Sequence, residues 1–400
     1  MRINIKIQKV LRNCPVCLNS KGKVLHTQRF VLGEGNFLPA SYNVVSCIDC
    51  GFVYADSSAT QKIYDRHYRE LSKYEDKKIS SGGWVSGYDI KRLEKVAKDI
   101  SKILPNKKAE ILDVGSANGG LLLALKKVGY KNLTGLDPSL VCVKTMRGYG
   151  VKALHGGIFS KNLIKKKYDC IILSHVLEHI YDIRKAVKNS LNWLKEGGVL
   201  YLEVPDAAQY QNFFIVPYYF FDCEHINHFD KYSLENLFSQ FSGKILKIKA
   251  KTIPVSEKEL YPAVYVVFKK STGKIPGMVK YSSKARSSVL KHIRQSRQRG
   301  GFKQIKQLIK SQKPVIVWGA GQFTQRLLQT GDLDKCNING FVDNDAKKQG
   351  QRIFGRIIRK PDTLKTFQGS VVVCSALHSQ KIFEQIRKDL KLNNEVIIIK

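Results

Sequence analysis

The chain has 400 residues, 43% of them hydrophobic, so it is too long for one ordinary core and predicts two or three domains. Its 68 Lys and Arg residues outnumber its 33 Asp and Glu residues, which gives a formal net charge of +35. No apolar run is long enough to span a bilayer and the first seven residues do not resemble a signal peptide, so we expect a cytoplasmic protein.

The first sixty residues contain two close pairs of cysteines, Cys14 with Cys17 and Cys47 with Cys50. Zinc prefers four thiolates in a tetrahedron, and a turn with two residues between its cysteines supplies two ligands. The pairs are separated by 29 residues, which leaves room for an inserted hairpin. The pattern predicts a zinc-binding module over residues 1–60, in which a closed four-thiolate site is structural and not catalytic. Two pairs of reduced thiols are the alternative.

The next region predicts helices followed by an alternating α/β core. Apolar residues repeat near the helical period between residues 61 and 105, and Pro105 ends that region. From residue 110 strands and helices alternate, which is typical of a parallel, doubly wound sheet covered on both faces. The predicted elements are the strands Ile111–Val114, Leu133–Leu136, Asp169–Leu173 and Val199–Val204, the helix Leu121–Val128, and a late edge strand Val264–Phe268.

A glycine turn follows the first strand of this core. Gly115 and Gly119 have no side chain, so the backbone there can approach a ligand closely. Asp137 ends the next predicted strand, 22 residues after Gly115. A carboxylate at that place can accept hydrogen bonds from both hydroxyls of a ribose. The turn and the acid together indicate a nucleoside site.

Four segments in this part of the chain resemble the successive motifs of class I S-adenosylmethionine-dependent methyltransferases. They are LDVGSANGG (112–120), GLDPS (135–139), SHVLEHI (174–180) and LKEGG (194–198). The resemblance implies a Rossmann-like core over residues 61–279 that binds S-adenosylmethionine. It implies that the turn holds the methionine part of the cofactor and that Asp137 holds the ribose. The cofactor-binding residues expected on this basis are Asp113, Gly115, Ser116, Gly119, Asp137 and Ser174.

Histidines occur in two places near the predicted site. His175 and His179 are expected to face the core or cap a turn where a helix begins. After the strand that ends at Pro205, the segment 222–228 contains an aspartate, a glutamate and two histidines. Such a set suits general acid–base chemistry, because histidine titrates near neutrality. A polar lid whose histidines satisfy loop carbonyls is the alternative.

The whole arrangement resembles the sugar C-methyltransferases of deoxysugar biosynthesis, which act on nucleotide-linked keto sugars. The resemblance rests on the four cysteines, the methyltransferase motifs, the Glu224–His225 pair and an α/β tail. It implies that His225, assisted by Glu224, removes the proton next to a ketone, and that the resulting carbanion takes the methyl group. The expected partner is therefore a nucleotide sugar or another small molecule.

Residues 280–400 predict a separate, smaller Rossmann-like α/β domain. Its predicted strands are Val315–Trp318, Asn339–Asp343 and Val371–Cys374. The Gly319–Gly321 turn and Asp343 could form a nucleotide site, or the domain could be structural. Residues 241–310 contain eighteen Lys or Arg residues against two Glu. This charge could attract phosphate, but solvated charge on exposed faces explains most of it.

Other functions stay open at this stage. One is O- or N-methylation of another small molecule or of RNA, although the cysteine region has few basic residues with which to hold RNA. Another is a zinc-ribbon binding protein whose Rossmann core is inactive. A third is a nicotinamide-dependent oxidoreductase that uses the tail. The sequence does not give the oligomeric state.

Overall fold

The computed structural model describes residues 7–32, 35–71, 87–160, 162–256, 259–273, 277–299 and 302–399. The chain forms two compact units. The first comprises Met1–Leu25, Val45–Phe213 and Glu224–Val289, and the second comprises His26–Val44, Phe214–Cys223 and Leu290–Lys400. The predicted boundaries, at residues 1–60, 61–279 and 280–400, stay a prediction.

The strands of the described residues are β1 (Ile7–Lys9), β2 (Lys21–Arg29), β3 (Ser41–Cys47), β4 (Val53–Asp56), β5 (Ile111–Val114), β6 (Leu133–Asp137), β7 (Lys152–His155), β8 (Tyr168–Ser174), β9 (Leu194–Pro205), β10 (Asn227–His228), β11 (Gly243–Pro254), β12 (Leu260–Lys270), β13 (Val315–Trp318), β14 (Ile338–Val342), β15 (Arg352–Ile353), β16 (Arg356–Arg359), β17 (Ser370–Val373) and β18 (Val396–Ile398).

The α-helices are α1 (Gln61–Glu70), α2 (Gly87–Ile103), α3 (Gly120–Lys127), α4 (Leu140–Gly148), α5 (Ile183–Trp193), α6 (Lys231–Phe238), α7 (Lys284–Arg299), α8 (Phe302–Ser311), α9 (Gln322–Thr330) and α10 (Ser379–Glu384). Among the described ranges, none of these helices has both the length and the apolarity needed to cross a membrane.

A seven-stranded sheet forms the centre of the first unit, in the order β11-β12-β9-β8-β5-β6-β7. Neighbours from β9 to β7 are parallel, whereas β12 is antiparallel to both β9 and β11. Every residue of β5 and β6 is buried, as expected for central strands with helices on both faces. The structure therefore confirms the predicted Rossmann-like α/β core.

Alternate residues of β5 contribute to two different hydrophobic cores. Ile111 packs in one core with residues of α2, α3 and α4, whereas Leu112 and Val114 pack in another with residues of α5 and α6. The second core also contains Cys14, Cys47 and Cys50, together with Val45, Phe52 and Tyr54. The cysteine segment and the central sheet therefore share one core.

The position of β12 differs from the sequence expectation. Val264–Phe268 was expected at the edge of the sheet, but β12 lies inside it and β11 forms the edge. The sequence of β11 is rich in lysine and was not expected to form a strand. Lys244, Lys247 and Lys249 are exposed on it. Charged side chains on an edge strand discourage pairing with another chain, which gives part of the positive charge a structural role.

A second α/β sheet lies in the second unit, in the order β15-β16-β14-β13-β17-β18. Strands β16, β14, β13, β17 and β18 are parallel to their neighbours, and only the short β15 pairs antiparallel in this described sheet. The strand predicted at Val315–Trp318 is present with the same bounds as β13. Its buried Val315, Val317 and Trp318 lie in the hydrophobic interior of this unit.

Candidate active site and cysteine cluster

Cys14, Cys17, Cys47 and Cys50 come together, and their four sulfur atoms all lie within 4.8 Å of one another. The Sγ atoms of Cys14 and Cys50 are 3.5 Å apart, and those of Cys17 and Cys47 are 3.4 Å apart. Zn–S bonds of about 2.3 Å in a tetrahedron place sulfurs about 3.8 Å apart. The cluster has the size and ligand chemistry of a four-thiolate metal site.

The two cysteine pairs lie on turns of the same design. The N–H of Leu18 donates to the carbonyl of Cys14 at 2.8 Å, and the N–H of Gly51 donates to the carbonyl of Cys47 at 3.1 Å. Both Leu18 (φ 68°) and Gly51 (φ 80°) have left-handed backbone conformations. At residue 51 only glycine fits, because a Cβ atom would lie 1.8 Å from the carbonyl oxygen of Ser282.

The glycine turn after β5 lies at the carboxyl end of the parallel strands, where ligands of such sheets bind. Gly115 has φ +71°, and a Cβ atom there would lie 2.6 Å from Val176, directly after β8. Gly119 has φ +83°, and its Cβ atom would lie 2.7 Å from Met146. The hydroxyl of Ser116 is buried and donates to the Met146 sulfur at 3.2 Å. The turn is thus packed closely against its neighbours.

The two aspartates of the predicted cofactor site are both buried near this turn. The carboxylate of Asp137 accepts the backbone N–H groups of Ala117 at 2.8 Å and Ser139 at 2.9 Å. Burial, together with the charge of Asp137, raises the pKa of Asp113 to about 8. A cationic ligand at this turn would relieve the repulsion between the two carboxyl groups.

Ser174 ends β8, and the next residue, His175, lies between two buried carboxylates. His175 Nδ1 is 3.1 Å from Glu178 Oε1, and its Nε2 is 3.3 Å from Glu203 Oε1. Glu203 also accepts the Tyr201 hydroxyl at 2.6 Å and forms an ion pair with Lys251. Burial by itself would lower the pKa of His175, but the two carboxylates outweigh it and raise that pKa.

His179 and His225 lie next to each other. Their ring centroids are 4.7 Å apart with the planes at 69°. His179 Nδ1 lies 2.8 Å from the Tyr68 hydroxyl and 3.2 Å from the carbonyl oxygen of Glu224. Glu224 and His179 are buried, and His225 is half-buried. The structure therefore brings the Glu224–His225 segment to the residues that directly follow β8.

Hydrogen bonds hold the Glu224–His225 segment beside the residues that follow β8. The N–H of Ile226 donates to the carbonyl of Glu178 at 2.9 Å. The side-chain amide of Asn227 donates to the carbonyls of Leu177 at 3.0 Å and Ile180 at 2.7 Å. Segment 224–227 is thus tied to the carboxyl end of β8, which neighbours β5 and its glycine turn in the sheet.

In the second unit, the predicted nucleotide turn is held by internal bonds. The carboxylate of Asp343 accepts the N–H of Ala320 at 2.8 Å and pairs with Lys348 at 3.2 Å. A Cβ atom at Gly319 would lie 2.6 Å from the carbonyl of Cys374. Thr324 is buried, and its hydroxyl donates to the carbonyls of Gly319 and Cys374. The turn is compact, and its polar groups already stabilise the fold.

The larger α/β core is similar to a known family of domains. Residues 88–245 match the model of a family described as a methyltransferase domain. This segment is therefore similar to a methyltransferase domain. The matched segment includes the glycine turn, Asp137 and the buried carboxylates Glu178 and Glu203. Residues 311–398 match a second family model, described as C2185-like, N-terminal.

Two curated relatives are ubiquinone biosynthesis O-methyltransferases. That of Rickettsia canadensis is 29% identical over 145 residues, which cover 33% of this chain and 60% of the relative. That of Rickettsia conorii is 31% identical over 111 residues, which cover 26% of this chain and 36% of the relative. The chain thus spans less than two thirds of the length of these relatives.

One similar solved structure is a Burkholderia thailandensis 1,6-didemethyltoxoflavin-N1-methyltransferase with bound 1,6-didemethyltoxoflavin and S-adenosylhomocysteine. It is 14% identical and covers 56% of this chain and 98% of its own, with a TM-score of 0.40.

Three side chains around the candidate site were not selected from the sequence. Glu178 and Glu203 were given no role, and His179 was expected only to pack or cap. The Tyr68 hydroxyl, to which no specific role was assigned from the sequence, reaches His179. A histidine and a glutamate three residues apart after a strand could have indicated the buried pair of His175 and Glu178. Glu203, in contrast, is one of several acidic residues along its strand region, and no motif or spacing in the sequence distinguishes it from the others.

We predict that Gly119→Ala lowers the free energy of unfolding by about 1–3 kcal/mol, because alanine resists this left-handed conformation and its Cβ would crowd Met146. Chemical denaturation followed by circular dichroism measures the change. Gly157→Ala is the matched control, since a Cβ atom at Gly157 has nothing within 4 Å. Equal stability of the two variants would show that the turn can relax.

Proposed function

We propose that this protein transfers a methyl group from S-adenosylmethionine to a carbon atom of a nucleotide-linked keto sugar. The observation that supports this most directly is the position of His225. It is a half-buried imidazole held beside His179 and the buried Glu178, next to the residues that follow β8. A base at that place can reach a substrate bound over the carboxyl end of the sheet.

The residues at the glycine turn fit the cofactor. S-adenosylmethionine supplies an electrophilic methyl group on a sulfonium, and its ammonium adds a second positive charge. Asp137 places negative charge at the turn, and Asp113 gains a charge when a bound cation lowers its raised pKa. Gly115, Ser116, Gly119 and Ser174 would surround the amino-acid part, and Asp137 would accept the ribose hydroxyls. The hydroxyl of Ser116 is bonded to Met146, so its contribution would come from the backbone.

The reaction would need one proton transfer from substrate to protein. His225 accepts the proton from the carbon next to the ketone, and the electron pair of that C–H bond becomes an enolate. The enolate carbon then forms a bond to the methyl carbon as the methyl–sulfur bond breaks, and S-adenosylhomocysteine leaves. Glu224, whose carbonyl oxygen lies beside His179, would hold the His225 segment in place.

O-methylation is the second candidate, and the two Rickettsia relatives favour it because both are named O-methyltransferases. A general base beside a phenolic or alcoholic oxygen would use the same histidine. Only identification of the methylated atom can therefore distinguish C-methylation from O-methylation. The position of the base is compatible with both.

We further propose that the four-cysteine cluster holds a structural zinc ion. The distances of 3.4 and 3.5 Å between sulfurs and the burial of three of the four thiols support a closed tetrahedral site. Four thiolates would leave no open position on the metal, so the ion would serve the fold.

The function is tested by His225→Ala. We expect turnover to fall by about 100-fold to 10,000-fold, while the affinity for S-adenosylhomocysteine changes less than about twofold, because the base acts on the acceptor and not on the cofactor. His378→Ala, an exposed histidine of the second unit, is the control.

The assay uses labelled S-adenosylmethionine with a thymidine-diphosphate 4-keto-6-deoxyhexose, and in parallel with a phenolic acceptor. Mass spectrometry and NMR of the product give the methylated atom. Transfer only to the phenolic oxygen would replace the proposed function with the second candidate.

Cofactor binding should release a proton near pH 7. The pKa of Asp113 is about 8 without ligand, so its carboxyl group is mostly protonated at pH 7. A bound cation lowers that pKa, and the proton leaves. Calorimetry in buffers of different ionisation enthalpy measures the release, which should approach one proton and fade above about pH 9.

Asp113→Asn should abolish this proton release. Asp169→Asn, at an acid that pairs with Lys195, should not. Equal release in all three proteins would exclude Asp113 as its source.

Metal removal should destabilise the whole first unit and not only its first strands, because three of the cysteines share a core with Leu112 and Val114. We expect about one zinc ion per chain by elemental mass spectrometry and a fall of roughly 10 °C in the unfolding midpoint after chelation. Cys50→Ser should lose the metal, whereas Cys170→Ser, at another buried thiol, should retain it. Absence of bound metal in the wild type would refute the proposal.

A further inference from the structure

Two carboxylates are completely buried at the carboxyl end of β8 and β9. Glu178 and Glu203 are both 0% exposed, and His175 bridges them. A buried carboxylate is costly unless its oxygens are bonded or its charge is balanced. Glu203 meets this requirement, since it contacts His175, Tyr201 and Lys251.

Glu178 is different, because only one of its oxygens is bonded. Oε1 contacts His175 Nδ1 at 3.1 Å, whereas Oε2 is buried and has no hydrogen-bond partner among the described residues. Burial tends to raise the pKa of Glu178, but His175 outweighs it and lowers that pKa, so the group is charged at neutral pH. A charged, buried oxygen without a partner indicates that a donor or a cation reaches it at some stage of the working cycle.

Besides His175, two more histidines lie close to Glu178. A carboxylate oxygen of Glu178 and one ring nitrogen each of His179 and His225 all lie within 4.8 Å of one another. His179 Nδ1 is already placed beside the Tyr68 hydroxyl and the Glu224 carbonyl. The bond from Ile226 N–H to the Glu178 carbonyl fixes the spacing between Glu178 and the His225 segment. His225 is therefore the neighbour that can gain a charge near Glu178 during a reaction.

We propose that Glu178 is the positioning residue of the base, and that its carboxylate orients His225 and stabilises the imidazolium formed when His225 takes the substrate's proton. This inference rests on the proposed function for the role of His225 as a base. In this proposal the main carboxylate partner of His225 is Glu178, which lies 47 positions before it in the sequence, and not its chain neighbour Glu224. His175, Glu203 and Lys251 form a second layer that keeps Glu178 charged and in place.

A double-mutant cycle tests this role. Glu178→Gln keeps the shape of the side chain and removes its charge, so kcat should fall about 10-fold to 100-fold with little change in the affinity for S-adenosylhomocysteine. In a protein that already carries His225→Ala, the same change should cost less than about twofold, because Glu178 acts through His225. Glu235→Gln, at an acid of α6 whose side chain is 41% exposed, is the control and should have no effect in either background.

A second measurement needs no substrate. In protein labelled with ¹⁵N-histidine, the ring nitrogen shifts of His225 at one fixed pH report how much of its imidazole is protonated. Loss of the Glu178 charge should lower the protonated fraction several-fold. Glu178→Asp, which keeps the charge, should restore most of it. If Glu178→Gln does not fold, Glu178→Ala, which also removes the charge, takes its place in the cycle. Glu178 and His179 each offer an atom within 4.8 Å of a His225 ring nitrogen and Glu224 precedes His225 in the chain, and only Glu178 is changed.

The outcomes separate the two proposals. If the ¹⁵N measurement shows the coupling but no keto sugar is methylated, the proposed function fails and the pairing of Glu178 with His225 stands. Equal losses of kcat for Glu178→Gln in both backgrounds, with unchanged ring shifts, would overturn the pairing. So would turnover that requires added Mn²⁺ in the wild type and needs much more Mn²⁺ in Glu178→Gln, since Glu178, His179 and His225 would then act as metal ligands.

Discussion

The site of the first unit depends on the way that Arg12 and Asn227 join three segments distant in sequence. The side-chain amide of Asn227 donates to the carbonyls that follow β8, and its oxygen accepts from Arg12 at 3.0 Å. Arg12 donates in turn to the carbonyls of Ile226 and Tyr181. It lies two residues before Cys14, so the cysteine segment is tied to the residues around His225. A guanidinium suits this position, because its fixed fork of donors can serve several carbonyls at once.

Sequence patterns predicted the strands of the α/β core accurately where neighbouring residues formed a clear motif. The strand Ile111–Val114 has the predicted bounds, and so does Val315–Trp318, because short apolar runs before glycine turns are typical of buried parallel strands. The grouping of the four cysteines also agrees with the spacing in the sequence. In these places the residues that determine the structure are close together in the chain.

Features that depend on distant contacts were not predictable in the same way. The edge strand β11 is recognisable only after its pairing with β12 is known, since its lysines and exposed residues do not give a buried-strand pattern. The partners of Glu203 come from its own strand, from the end of β8 and from β11, and no spacing rule connects them. His179 was given a packing role, because a single sequence shows the residue type and not the Tyr68 hydroxyl beside it.

The same arrangement recurs in both α/β units: the acid at or just after the second strand accepts the N–H of the turn that follows the first. Asp137 bonds to Ala117 in the first unit, and Asp343 bonds to Ala320 in the second. Each loop is therefore held by a hydrogen bond from the protein itself. A nucleoside that bound at Asp137 would therefore contact a turn that is already in place. Little of its binding free energy would be needed to order the chain, and diffusion more than rearrangement would limit the association rate.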